Sequence, residues 1–218
     1  KAIAGESEEG VYKTLGLQWI PPELREDRGE VELALKNGLP KLVEFSDIKG
    51  DLQMHSNYSD SSATIEQLAL AAQKMGYEYI LITDHSQSAR YAHGLEIERL
   101  YKQWDEIDAL NKKFKNFRIL KGIEVDILPN GKLDYPDKIL KELDFVVASI
   151  HQGFTKNVTE RICSAMENPY VDIIGHPTGR LISKREGYAI NIEKIINKAL
   201  ETKTYLECNA YPDRLDLN

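Results

Sequence analysis

From residue 47 onward the chain alternates short apolar runs with longer stretches whose apolar residues recur at helical spacing. Six runs, at 48–54, 77–83, 117–123, 143–150, 171–175 and 204–208, predict β-strands. Segments 65–75, 96–114, 158–166 and 192–200 predict helices, and in the second of these Ile97, Leu100, Trp104, Ile107 and Leu110 share one face. Thr64-Ile65-Glu66-Gln67 reads as a capping box, in which the Thr hydroxyl and the Gln side chain satisfy free backbone N–H groups; Gly76 ends the helix it starts. Strand and helix in alternation predict a parallel sheet joined by crossovers, and six such units fit a barrel-like α/β fold better than a small open sheet.

Residues 1–46 lack that pattern. Ser7-Glu8-Glu9-Gly10-Val11-Tyr12 predicts a helix start, Pro21-Pro22 breaks the chain, and 25–30 is polar. So few apolar residues make no independent core, and the segment reads as the tail of something larger, or a lid.

Composition narrows the class. The 218 residues are 42% hydrophobic and 29% charged, which suits one sizeable core. No run approaches the roughly 18 apolar residues of a membrane span, and the first residues are no signal peptide, so no membrane partner is expected. Cys163 and Cys208 form neither a disulfide framework nor a CxxC pair, which fits a reducing, cytoplasmic location. A net charge of −7 argues against holding nucleic acid by bulk charge, but leaves room for a local site whose acidic residues carry metal ions.

The candidate chemistry lies at the strand ends. His55, His85, His151 and His176 each close or closely follow a predicted strand, and the third strand ends in Gly122-Ile123-Glu124. Five consecutive strands thus deliver metal-ligand residue types at their carboxyl ends, which converge on one face in parallel α/β folds. One histidine so placed is ordinarily a capping or packing residue; a series of four with a glutamate is the signature of a site. His93, in the polar stretch Arg90-Tyr91-Ala92-His93-Gly94, reads as a surface residue. Asp60 lies where a loop can return it to the same face, although a plain turn suits it equally. Asp84 precedes His85, while Asp126 and Asp134 read as solvated loop residues. Mixed histidine and carboxylate suits Mn, Zn or Fe. More ligands than one ion uses predicts two or three ions, a cluster suited to hydrolysing phosphate esters.

Gln53-Met54-His55, Thr83-Asp84-His85, Gly122-Ile123-Glu124, Ile150-His151 and Gly175-His176-Pro177 resemble the motifs of the PHP (polymerase and histidinol phosphatase) superfamily, over residues 47–218. More narrowly, Gly16-Leu17-Gln18-Trp19-Ile20-Pro21-Pro22-Glu23-Leu24-Arg25-Glu26 and Gly175-His176-Pro177-Thr178-Gly179-Arg180 resemble the bacterial and archaeal family X DNA polymerases, in which a PHP domain follows the polymerase core. The resemblance implies a distorted (βα)7 PHP barrel in 47–218, here lacking its last strand, preceded in 1–46 by the end of a polymerase thumb and a linker. It implies a trinuclear site, usually of Mn or Zn, with Gln53, His55, Asp60, His85, Glu124, His151 and His176 as metal ligands. Glu124 would bridge two of the ions and, with His85 and His151, form the catalytic centre. There are two departures. Gln53 stands where the family has a histidine, implying a looser metal position. The family's last Asp-x-His is also missing, because Glu207 and Asn209 do not match it and the chain stops at Asn218. The sequence therefore reads as a fragment that binds fewer ions.

The function so implied is a metal-dependent phosphoesterase acting on DNA 3′ ends, as a 3′–5′ exonuclease or 3′-phosphatase in repair. Its partners would be DNA and the polymerase core of the same parent chain. Arg180 and Arg185, with Lys184, are candidates to grip a phosphate backbone, and Tyr58 to stack on a terminal base; a solvated face is the plainer reading of each. Two other readings stay open: a non-catalytic module bracing the polymerase, and a small-molecule phosphatase of the histidinol phosphate kind, against which the thumb-like 20–26 speaks. Residues 1–46 hold no nucleotide-binding carboxylate pair, so DNA synthesis is not expected of this chain.

Overall fold

The computed structural model describes residues 3–217. These form two compact units, with the break between Ile48 and Lys49.

In the first unit, helix α1 (Glu8–Thr14) starts as the sequence predicts, with the Ser7 hydroxyl accepting from the Gly10 N–H at 3.1 Å. Helix α2 (Glu30–Leu35) is not predicted. It enters through Gly29 at φ +96°, and its Val31, Leu33 and Leu35 are all exposed, so no apolar stripe announces it. Only Ile20 and Ala34 are fully buried apolar residues among the described residues of this unit. Polar contacts add to them: the Glu8 carboxylate accepts from Trp19 Nε1 at 3.0 Å and from both terminal nitrogens of Arg25 at 2.8 and 2.9 Å.

The second unit holds strands β1 (Gly50–Met54), β2 (Tyr79–Ile82), β3 (Arg118–Asp126), β4 (Phe145–Ser149), β5 (Ile173–Ile174) and β6 (Tyr205–Leu206). They lie in sequence order and every neighbouring pair is parallel. The crossovers carry α3 (Ile65–Lys74), α4 (Ile97–Asn111), α5 (Asp137–Leu140), α6 (Val158–Met166) and α7 (Ile192–Thr202). The sheet curls into a six-stranded half-barrel. Although three strands separate β1 from β5, a side chain added at Gly175, just past β5, would come within 3.3 Å of Gln53 Oε1 on β1. The expected capping box forms, with Gln67 N–H on Thr64 Oγ1 at 3.2 Å and Thr64 N–H on Gln67 Oε1 at 2.9 Å.

Three clusters follow from strand alternation, two outer and one inner; the larger outer one joins Ile123, Val125, Val146, Ala148 and Ile174 of β3–β5 to Leu140, Ile162 and Ile195 of α5–α7. Ile80, Ile82 and Ile119 point outward under α3 and α4, where they meet Ile65, Ala69 and Ile107. Leu81, Val147 and Ile173 point inward with Leu52, Leu120 and Phe145. Each fully buried aliphatic side chain contributes about 1.5–3 kcal/mol. The predicted third strand ended at Ile123, but β3 runs on to Asp126, because Glu124, Val125 and Asp126 continue the ladder with β4. That extension shapes the site.

Candidate metal centre

Each strand hands its last side chains to one rim. His55 directly follows β1, His85 lies beyond β2, His151 beyond β4 and His176 beyond β5. Glu124 sits within β3, between its ladder partner Val147 and a bridge to His85. The Glu124 side chain is 1% exposed and divides its oxygens between two histidine pairs. Oε2 lies 3.3 Å from His55 Nε2 and 3.2 Å from His85 Nδ1; Oε1 lies 3.4 Å from His151 Nε2 and 3.1 Å from His176 Nε2. In each group, His55–His85–Glu124 and Glu124–His151–His176, the candidate ligand atoms lie within 4.8 Å of one another.

A ring of supports fixes this arrangement. His55 Nδ1 contacts Asp60 Oδ1 at 2.8 Å, and Asp60 Oδ2 lies 3.6 Å from His85 Nε2. His151 Nδ1 contacts Asp126 Oδ1 at 2.5 Å, and Ser88 Oγ donates to the other oxygen of Asp126 at 2.5 Å. A ring N–H given to a carboxylate fixes the tautomer and leaves the second nitrogen to accept a metal. Asp84, fully buried, accepts from the backbone and hydroxyl of both Ser56 and Ser59 and from Gln103 Nε2, and so anchors the loop that presents His55 and Asp60. His176, at φ +27°, donates its backbone N–H to Glu207 Oε2 at 2.5 Å. The buried Arg161 donates to the carbonyls of Ile127, Leu128, Gln152 and Gly153, tying the loops after β3 and β4 together.

Electrostatics follow from burial against charge. Burial opposes the charge on Glu124, but the surrounding imidazoles outweigh it and hold the carboxyl well below its usual range. Burial likewise pulls His55 and His151 down, yet the carboxylates of Asp60 and Glu124 for the one, and of Glu124 and Asp126 for the other, raise them to about 10 and about 9. Among the described residues His85 makes no hydrogen bond to a carboxylate, and burial, helped by the charges of His55 and His151, outweighs the pull of Glu124 and takes it down to about 4. Burial lifts Glu207 to about 7.

The donor set suits a metal. Among the described residues, His85 Nδ1, His176 Nδ1 and Gln53 Oε1 are buried without a hydrogen-bond partner, a state that costs about 1–3 kcal/mol per group. Imidazole with carboxylate is the donor chemistry of Mn and Zn, and His55, His85, Glu124, His151 and His176 could hold such ions.

The other expected site residues lie elsewhere or are otherwise engaged. Gln53 points into the half-barrel near Gly175. Tyr58 packs against both outer clusters and donates its hydroxyl to Glu106 at 2.9 Å. Arg180 donates to the carbonyls of Arg214 and Leu215, and Arg185 to that of Gly179 while its guanidinium covers the Phe154 ring. Lys184 pairs with Asp213 at 2.8 Å. His93 is exposed, as predicted. The expectation of a solvated loop residue is overturned for Asp126, which is 1% exposed on β3; Asp134 does lie in a loop, half-buried, with its carboxylate accepting from the Ser88 N–H at 2.7 Å. The signal for Asp126 was period two: once Glu124 faces the centre, residue 126 of the same strand does too.

Comparison with known proteins agrees with this geometry. The model of the DNA polymerase beta thumb matches residues 1–26, and that of the PHP domain matches residues 51–210. The DNA polymerase/3′-5′ exonuclease PolX of Bacillus subtilis is 52% identical over 97% of this chain, which spans 37% of that protein. A probable phosphatase of Thermoanaerobacter sp. is 37% identical over 67% of the chain and 58% of its own length. The chain thus spans well under two thirds of these relatives. Histidinol phosphate phosphatase from Lactococcus lactis, solved with zinc, L-histidinol and phosphate, superposes over 72% of each chain with a TM-score of 0.50 at 16% identity, a likeness of fold. Matched over 160 residues that include all five strand ends of the centre, this chain belongs to the PHP domain family.

Proposed function

We propose that this chain is a metal-dependent phosphoesterase that hydrolyses phosphodiester or phosphomonoester bonds at DNA 3′ ends, as a 3′–5′ exonuclease or 3′-phosphatase in repair. The observation that carries the reading is Glu124, one buried carboxylate with a histidine pair on each oxygen. Two or three Mn or Zn ions on His55, His85, Glu124, His151 and His176, with Asp60 and Gln53 at the margin, would supply an activated water and positive charge for the phosphoryl oxygens. Glu124, His85 and His151 form the catalytic centre of this reading. Glu124 remains ionised, Asp126 keeps Nε2 of His151 turned inward, and Asp84 holds the loop of His55 and Asp60 in place. The thumb match and the Bacillus relative support DNA as substrate. The same reading makes the polymerase core of a longer, cytoplasmic chain the second partner. No helix among the described residues is long and apolar enough to cross a membrane.

Incubation with a 3′-labelled oligonucleotide and Mn²⁺ or Zn²⁺ tests this, with His85→Ala alongside. The chain should release label, and the variant should do so at least about 100-fold more slowly with a lower metal content, as expected for loss of a ligand. Equal release by both proteins overturns the assignment. Hydrolysis of small phosphomonoesters without release from DNA would move the substrate to a small molecule.

A further inference from the structure

The loop between β2 and α4 is pinned nearly everywhere. Ser86 N–H bonds to the Glu124 carbonyl at 3.1 Å, Leu95 N–H to the His85 carbonyl at 2.8 Å and Gly94 N–H to the Ala89 carbonyl at 3.0 Å. Ala89, Ala92 and Leu95 are buried, and Arg99 donates to the His93 carbonyl at 2.8 Å. Gly94 cannot be replaced without strain, since an added Cβ would collide with the Ser86 carbonyl. From this fixed base a single turn, Arg90–Ala92, projects Tyr91. The residue is 70% exposed, yet its ring centre lies 6.1 Å from that of His85, at the edge of the candidate metal centre. The hydroxyl makes no hydrogen bond among the described residues. Partial desolvation, then the carboxylates of Asp126, Glu124 and Asp60, draw it up to about 12.

The neighbouring aromatic rings are taken. Tyr58 is packed and hydrogen-bonded, Phe154 and Tyr188 stack on each other with centres 5.4 Å apart, and Arg185 covers Phe154. A rigid mount that holds a free aromatic face beside a phosphate-directed centre suits a planar group attached to that phosphate. We propose that Tyr91 is the stacking surface of the substrate site, and that its ring takes the base of the nucleotide whose phosphate enters the centre. The inference rests on the phosphoesterase reading above and names what the substrate must carry, a base next to the scissile phosphate.

The test uses two oligonucleotides that differ only at the 3′-terminal residue, one with 2-aminopurine and one with an abasic analogue. Stacking quenches 2-aminopurine emission, which gives a readout independent of turnover. The chain should quench the probe and show a KM about ten-fold lower for the base-bearing end. Tyr91→Ala should lose the quench and bring the two KM values together with kcat within about two-fold, whereas Tyr91→Phe, which keeps the ring, should preserve both. Unchanged quenching and KM ratio in Tyr91→Ala overturn the proposal. Equal losses in Tyr91→Phe and Tyr91→Ala also overturn it, by assigning the effect to the hydroxyl. Turnover without quenching by the unaltered chain defeats the stacking site alone. Quenching that depends on Tyr91 without hydrolysis of any phosphoester supports the stacking site and defeats the phosphoesterase reading.

Discussion

Glu124 and Glu8 each gather nitrogen groups onto one carboxylate, and both are held below the ordinary carboxylate range. Water separates them. The Glu124 side chain is 1% exposed among four histidines, whereas that of Glu8 is 51% exposed against Arg25 and Trp19. An exposed charge pair is screened and contributes little. A buried one must be fully partnered or it costs stability, and the cluster around Glu124 leaves Nδ1 of His85 and of His176 without a hydrogen bond among the described residues. The partners differ in kind as well. Guanidinium and indole have no lone pair to give a metal, while a neutral imidazole does. The same carboxylate chemistry therefore makes a local strut in the first unit and a ligand-seeking site in the second.

The sharpest way to break that comparison is Glu124→Gln, which keeps the shape and removes the charge shared by both histidine pairs. Bound metal should fall below one ion per chain, and label release from a 3′-labelled oligonucleotide should drop on the order of 10³-fold, the scale of several kcal/mol of lost charge stabilisation. Elemental analysis and the rate assay read the two effects. Full metal content in Glu124→Gln would reduce Glu124 to a counter-charge like Glu8.

Much of this was legible in the sequence because the second unit repeats one rule. A short apolar run followed by a histidine or glutamate recurs, and parallel pairing turns that recurrence into convergence. The six strands and four long crossover helices therefore stand where periodicity puts them. The supports of the centre were not legible, since they depend on which side of the chain a polar residue faces. Asp126 looked like a loop residue because the apolar run stops at Ile123, although the ladder to β4 continues through it. Tyr58 looked free beside His55, but its hydroxyl reaches Glu106, 48 positions away in the sequence. Arg180 and Arg185 looked like cations for phosphate, and they close loops by donating to backbone carbonyls. In the first unit, α2 carries exposed apolar residues on several sides, so no period marks it.

Within the centre the comparison recurs on a smaller scale. Asp126 and Asp60 each contact the Nδ1 of a histidine, but the Asp126 side chain is 2% exposed and that of Asp60 44%. Asp126→Ala would strand the His151 N–H and the Ser88 hydroxyl away from water, at a cost to stability of about 1–3 kcal/mol, and free the imidazole to turn. Metal affinity should fall about 10–100-fold, the usual effect of losing the carboxylate behind a histidine ligand. After Asp60→Ala, water can take the vacated place, so both losses should be smaller. Denaturant unfolding and competitive metal titration of the two variants measure this. Equal losses would mean that burial does not set the value of these supports.

The smallest effect belongs to Glu8, and pH reveals it. Hydrogen bonds from Arg25, then from Trp19, bring its carboxyl from an ordinary 4.5 down to about 2. A group whose value is depressed by folding contributes its full stabilisation above the unfolded value and loses it as pH falls through the folded one. Its contribution to stability should therefore be complete above about 4.5 and decline to nothing as the pH falls to about 2, while in the folded chain the contact itself persists until near the lower value. Because the Trp19 indole N–H is donated to this carboxylate at 3.0 Å, its NMR resonance should stay unshifted on acidification until the pH nears that lower value. In Glu8→Gln the same resonance should not titrate, while metal content and turnover of the second unit stay as they were. A midpoint near 4.5 would mean that the contact is not held in solution. A change in turnover on replacing Glu8 would show that the exposed carboxylate is more than a strut.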